Sequence, residues 1–397
     1  MLLLDPIVQN LAELQRIRRD IHAHPELCYE EERTSRIVVE KLTEWDIPVI
    51  TGMAGTGVVG IIRNGQSSRA VGLRADMDAL PMQEANSFAH ASVHQGKMHA
   101  CGHDGHTAML LGAAQYLARH RNFNGTVYLI FQPAEEGGGG AKRMMDDGLF
   151  QQCPMEAIFG MHNLPGAPVG TFGVKHGPMM ASSNQFQLRI QGKGAHAAQS
   201  HKAIDPIAVA VQIAHAWQTI ITRNKDPLRP AVMSITQINA GSAFNVIPDE
   251  ANLRGTVRTF HPDVLDLIED RMRAIAEHTA AAFCAKAEFN FVRKYPSLIN
   301  HMQETELAIE VMRSIVGEER VDVRDEPTMG SEDFAFMLQE KPGCYVYIGN
   351  GSGKSRECGH GVGPCELHNP SYDFNDALLP IGATYWVRLA ERFLAQA

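Results

Sequence analysis

Basic residues are scattered rather than clustered in this chain. Its 397 residues carry 36 lysines and arginines against 45 aspartates and glutamates, a net charge of −9, and no Lys/Arg run makes a nucleic-acid footprint. Long apolar runs are also missing. None approaches the ~18 residues that span a bilayer, so membrane insertion is not expected. The opening MLLLDPIVQN has neither a basic flank nor a small-residue cleavage site, so no secretory signal is read there. Cysteine is scarce: seven residues (28, 101, 153, 284, 344, 358, 365), odd in number and dispersed, which fits free thiols in a reducing, cytoplasmic compartment. There is no Walker lysine motif and no G-x-S-x-G elbow, and AEEGGGGAKR lacks the G-x-G-x-x-G frame. Nucleotide chemistry and a serine nucleophile are therefore set aside.

What is present describes a globular protein, with 44% hydrophobic and 20% charged residues. The length exceeds that of a single core, so two domains are expected. Asp5 reads as an N-cap with Pro6 at the first helical position, opening a helix through LAELQRIRRDIHAH. Strand-like VVGIIR (58–63), AVGLRA (70–75), GTVYLIFQP (125–133) and AIFGMH (157–162) alternate with helical HTAMLLGAAQYLARH (106–120), which points to an α/β fold with a mainly parallel sheet. Between 183 and 297 the rhythm becomes β-α-β-β-α-β, the ferredoxin-like split pattern. This predicts an inserted α+β domain at 183–297, interrupting a larger domain formed by 1–182 and 298–397. EPTMGSEDFAFM and SYDFNDALLPIGATYWVRLAERFLA then read as helical.

Five of the 18 histidines fall in the 17 residues HASVHQGKMHACGHDGH, His90 to His106, where an even spread would place roughly one. Such a cluster is either a polar surface loop or a metal site. Cys101-Gly102-His103 just before a helix favours the second, because a helix N-terminus stabilises a thiolate. Ligands of open α/β sheets bind outside the carboxyl ends of the strands. Asp76 and Asp78, Glu135 and Glu136, and His162 all fall at such ends. His368 in CELHNPSYDFN belongs either with them or with Cys358, His360 and Cys365 in a separate structural zinc site. His196, in GKGAHAA, reads equally as a turn histidine.

At this point the motifs resemble a known family. RIRRDIHAHPEL, GLRADMDALP, HACGHDGHTAMLL, FQPAEEGGGGAKRM, GMHNLPGAPVG, GKGAHAA, GSAFNVIPDEANLRGTVRTF, MGSEDFAFM and ELHNPSYDFND are similar, in order, to the amidohydrolase branch of the peptidase family 20 metallohydrolases. That branch includes hippurate hydrolases, N-acyl-amino-acid and N-acetyl-diaminopimelate deacetylases, and plant auxin-conjugate hydrolases. The resemblance implies a catalytic α/β domain carrying a ferredoxin-like lid that also mediates homodimerisation or higher assembly. It further implies two divalent metal ions per subunit (manganese, zinc, cobalt or nickel) and a small N-acyl amino acid as substrate. By position the ligands would be Cys101, His103, Glu136, His162 and His368, and Glu135 the general base. Asp76 would be an orienting or active-site carboxylate, since distant relatives have His-x-Asp where this chain has Asp76-Met77-Asp78. His196 would reach a neighbouring subunit's site and hold the oxyanion, with Asn245 and Arg258 at the substrate carboxylate. The expected reaction is metal-dependent amide hydrolysis. A deacetylase of a biosynthetic intermediate, a dipeptidase and a non-catalytic metal-dependent binding protein remain as alternatives.

Overall fold

The computed structural model describes residues 1–353 and 358–395. The chain divides into two compact units: Met1–Met179 with Ile299–Glu326 and Asp333–Ala397, and Met180–Leu298 with Pro327–Glu332. The short Pro327–Glu332 stretch joins the second unit because the Ala181 N–H donates to the carbonyls of Thr328 (3.1 Å) and Gly330 (2.9 Å).

In the first unit, β1 (Val49–Met53), β2 (Gly57–Asn64), β3 (Ala70–Asp76), β4 (Gly125–Gln132) and β5 (Ala157–Pro165) belong to an eight-stranded sheet. Its order is β1-β2-β4-β3-β5, then Gly343–Gly351, Phe172–Val174 and Val321–Val323. β3 runs parallel to β4 and β5, and Gly343–Gly351 runs parallel to β5. β1 and β2 are antiparallel additions at one edge. The central strands read as unbroken apolar runs because both faces are covered: every residue of β3 and of Gly343–Gly351 is buried. The run GCYVYIGNG is a central strand that the alternation reading passed over.

Helices α1 (Asp5–Gln9), α2 (Leu11–Ala23), α3 (Glu32–Glu44) and α4 (His103–His120) lie in this unit. The first differs from expectation. Leu4, not Asp5, occupies the N-cap position without a side-chain bond, and the helix breaks at Asn10, whose backbone leaves the helical region (φ −91°, ψ 6°). α4 packs against β3, α2 and the C-terminal helix Leu379–Phe393, which accounts for its apolar residues on nearly every side. EPTMGSEDFAFM is helical only from Ala335, as Ala335–Glu340.

The second unit contains Ser183–Gln191, helix Pro206–Thr219, Ala231–Ala240, Glu250–Thr259, helix Pro262–Ala282 and Lys286–Tyr295. In order of appearance its four strands sit 2-3-1-4, all antiparallel, which is the ferredoxin-like arrangement. Asp205, followed by Pro206 at the first helical position, caps its helix, accepting from the Ile207 N–H at 2.9 Å. Phe186, Leu188, Trp217, Leu253, Ile268 and Met272 form its separate core.

Candidate metal centre

The parallel strands bring distant side chains to one end of the sheet. β3 ends on Asp76, and β4 runs through Gln132 into the Pro133–Glu136 turn. His162 lies inside β5 rather than beyond it, paired in register with Tyr347. α4 starts on His103. Its N-cap, Gly102, sits at φ 94°, and a Cβ there would come within 2.4 Å of both Asn163 Nδ2 and the Tyr372 hydroxyl, so only glycine fits.

Asp78 is the hub of the arrangement. Its Oδ1 accepts from His103 Nδ1 (3.2 Å) and the Glu135 N–H (3.0 Å), and its Oδ2 accepts from the Glu136 N–H (2.9 Å). One buried carboxylate thus fixes an imidazole and both glutamates. The sequence reading noted Asp78 but gave it no role; its position two residues after Asp76 was the available signal. With Nδ1 committed, His103 Nε2 is buried without a hydrogen-bond partner. His162 donates from Nδ1 to the Asn163 carbonyl (2.7 Å), which leaves the lone pair on Nε2, 3.3 Å from Cys101 Sγ. Glu136 Oε1 lies 3.1 Å from His368 Nε2.

A second network stands behind these groups. Asn163 donates its backbone N–H to His106 Nε2 (3.0 Å), so His106 carries its proton on Nδ1 and donates it to Asp76 Oδ1 (2.6 Å). Asn163 Nδ2 also donates to the Cys101 carbonyl (2.6 Å), and the Tyr372 hydroxyl donates to Asn163 Oδ1 (2.8 Å). Asp76 is fully buried and further bonded to Arg74 (2.7 Å), which places it behind the cluster. Arg74 bridges on to Gln132 and Asp333, and the Asp333 N–H donates weakly to Glu135 Oε1 (3.4 Å).

Ligand atoms within 4.8 Å of one another form overlapping groups: Cys101/His103/His162, Cys101/Glu136/His368, His103/Glu135/Glu136 and Asp76/His103/His106. The five expected ligands and Glu135 are therefore brought together. Cys358, His360 and Cys365 form no such group among the described residues. The field is that of a cation site. Burial alone would lower the His103 pKa, but Asp76 and Asp78 outweigh it and raise it to about 10. Burial, then Glu136, Glu135 and Asp76, push the Cys101 thiol well above its ordinary value. Burial and the neighbouring His106 hold the His162 pKa well down. A buried imidazole nitrogen without a hydrogen-bond partner, a thiol held protonated by burial and by neighbouring carboxylates, and mixed S, N and O donors fit borderline divalent ions.

His196, Asn245 and Arg258 lie in the second unit. His196 pairs with Val246, and the Ala197 N–H donates to the Asn245 carbonyl (3.0 Å), so two of the three are neighbours on exposed backbone. Arg258 Nη1 donates to Ser331 Oγ (2.8 Å).

A hippurate hydrolase of Campylobacter jejuni is 40% identical over 392 residues, 99% of each chain. An N-acetylcysteine deacetylase of Bacillus subtilis is 40% identical over 376 residues, 94% of this chain and 95% of its own. The crystal structure of a dinuclear metal-binding peptidase of family M20 from Bacillus subtilis superposes with a TM-score of 0.84 at 37% identity, covering 98% and 99% of the two chains. Residues 72–392 match the family model as well, and the chain belongs to Peptidase family M20/M25/M40.

Proposed function

We propose that this protein hydrolyses the amide bond of N-acyl amino acids, hippurate or a close analogue among them, using two divalent cations. Cys101, His103, Glu136, His162 and His368 would hold the ions, consistent with their overlapping ligand groups. Divalent ions held there supply Lewis-acid polarisation of the acyl oxygen and lower the pKa of a bound water from about 15.7 toward roughly 7. Glu135 takes the proton of the attacking water and returns it to the leaving amine, a role typically worth about 10²- to 10⁴-fold. Asp78 orients His103, and Asp76 orients His106, so neither carboxylate needs to react.

The observation that carries this reading is the pair of glutamates suspended from Asp78 by adjacent N–H groups. A ligand has to remain ionised while a base cycles its proton, and consecutive residues leaving a strand divide those tasks between two carboxylates. A binding protein needs only the first. His196, Asn245 and Arg258 are assigned to the acyl oxygen and the substrate carboxylate, with His196 supplied to a neighbouring subunit. Homodimerisation through the second unit is supported by its edge strand Ala231–Ala240, where Val232 and Ile238 are exposed, and by exposed Phe244 and Val246. All seven cysteines are free, which supports a cytoplasmic setting, and no helix among the described residues is long and apolar enough to cross a membrane.

The test is a panel of hippurate, N-acetyl amino acids and dipeptides assayed on chelated protein with manganese, zinc, cobalt or nickel restored in turn. Turnover of N-acyl amino acids is expected. Dipeptides as the sole substrates would make the protein a dipeptidase, and no turnover with any metal would leave a binding protein.

A further inference from the structure

The turn that carries both glutamates is held from outside its own segment as well as by its internal hydrogen bonds from the Gly137 N–H to the Glu135 carbonyl and from the Gly140 N–H to the Ala134 carbonyl. Ala134, immediately before Glu135, sits at φ 55°, a left-handed conformation that strains a non-glycine residue. Its N–H donates to Glu31 Oε1 at 2.9 Å, across 103 residues of chain. The same oxygen accepts the Tyr29 N–H (3.0 Å), and the Thr56 hydroxyl donates to Oε2 (2.7 Å). Two further grips come from the same stretch. The Tyr29 hydroxyl donates to the Gly138 carbonyl (2.7 Å), and Cys28 Sγ lies 3.2 Å from the Glu136 carbonyl. Beneath them the turn is close-packed: a Cβ on Gly140 would fall 1.7 Å from the Pro133 carbonyl oxygen.

Glu31 is completely buried, and among the described residues no cation lies within ion-pair distance of it. Burial raises its carboxyl pKa to about 7. A buried carboxylate without a counter-ion costs stability, and here its three donors are two backbone N–H groups and one hydroxyl. What this side chain contributes is the position of Ala134.

We propose that Glu31 is a positioning residue for the hydrolysis: through the Ala134 N–H it holds the turn in its left-handed form, so that Glu135 and Glu136 present their carboxylates to different partners. The proposal rests on Glu135 being the base. It depends on reach rather than charge. Glutamine at 31 keeps Oε1 for both N–H groups and offers Nε2 to Thr56 Oγ1, whereas aspartate keeps the charge but falls one methylene short.

Glu31→Gln and Glu31→Asp are compared for kcat and KM per metal-loaded site, and for backbone amide exchange over residues 133–138 in the chelated protein. For the glutamine variant kcat within about threefold of the parent is expected; for aspartate, a loss of about tenfold or more at nearly unchanged KM, since small misplacements of a catalytic group cost that much. Exchange at the Ala134 amide should accelerate about tenfold in the aspartate variant alone, reporting local opening. Parental kcat in the aspartate variant, or an equal loss in both, overturns the proposal. If the parent hydrolyses none of the panel the amidohydrolase reading fails, and exchange alone then decides whether Glu31 holds the turn, with unchanged exchange refuting it. Should the aspartate variant fail to accumulate, Thr56→Val replaces it, with loss of kcat and faster exchange expected and parental values overturning the proposal.

Discussion

Removal of the buried charge at Arg18 tests how the helix bearing His103 is held. Arg18 is 1% exposed, and it donates to Asp376 Oδ1 (2.7 Å), Asp373 Oδ1 (3.1 Å) and the Phe374 carbonyl (2.9 Å), with Asp104 at 3.6 Å. Asp104 is the second residue of α4 and also accepts from His22 (2.9 Å). Arg18→Met keeps most of the packing and strands these carboxylates. The cheapest relief is for one of them to take up a proton, which at pH 7 costs an ordinary aspartyl group about 4 kcal/mol, at 1.36 kcal/mol per pH unit. The expected loss is therefore about 3–5 kcal/mol at pH 7, the range for breaking a buried ion pair. At pH 5 the same protonation costs only about 1.5 kcal/mol, so the defect should shrink. The parent's own Asp373 contribution changes little over that interval: burial would raise the Asp373 pKa, but Arg18, His90 and His22 hold it far below the usual range, so the contribution is present above the unfolded value of about 4 and is lost as the pH falls below it. Guanidinium unfolding followed by tryptophan fluorescence in a Trp217→Phe background reports the first unit, through Trp45 and Trp386. A loss below about 1 kcal/mol at pH 7, or one that grows toward pH 5, would refute the reasoning.

Glu135→Gln should bind metal normally while kcat falls about 10²- to 10⁴-fold, whereas Glu136→Gln should lose metal first; normal turnover in the former or full metal occupancy in the latter contradicts the division of roles. Asp78→Asn leaves the fold standing but disturbs His103 and both glutamate N–H groups, so metal affinity measured by chelator competition should drop about 10- to 100-fold. An unchanged affinity would show that Asp78 is not the hub. In chelated protein at pH 8, Cys101 should resist alkylation while exposed Cys284 and Cys358 react, because burial and the neighbouring carboxylates keep its thiol protonated. Mass spectrometry showing Cys101 labelled as fast as Cys284 would refute this.

Much of the candidate site was legible because its residues lie in short, chemically unusual segments. Cys101 and His103 announce themselves in a histidine cluster at a helix start, and Glu135 and Glu136 follow a strand whose apolar run marks it as central. Period and composition could not show which strands lie side by side. The antiparallel β2 and the buried Gly343–Gly351 strand therefore emerged only from the pairing. The break at Asn10 escaped for a similar reason, since local capping signals continue across it.

The sequence by itself determined the alternating α/β plan, the β-α-β-β-α-β insertion and the kinds of donor available, because periodicity and residue chemistry are local properties. Only the tertiary structure decided the roles of the carboxylates. Asp78, Asp76 and Glu31 are each just an acidic residue in a line of text. What separates them is the partner that folding supplies: an imidazole with two N–H groups for Asp78, His106 and Arg74 for Asp76, and the strained Ala134 for Glu31. Those partners lie up to 103 residues away, and hydrogen bonds over that separation exist only once the sheet has aligned the strand ends.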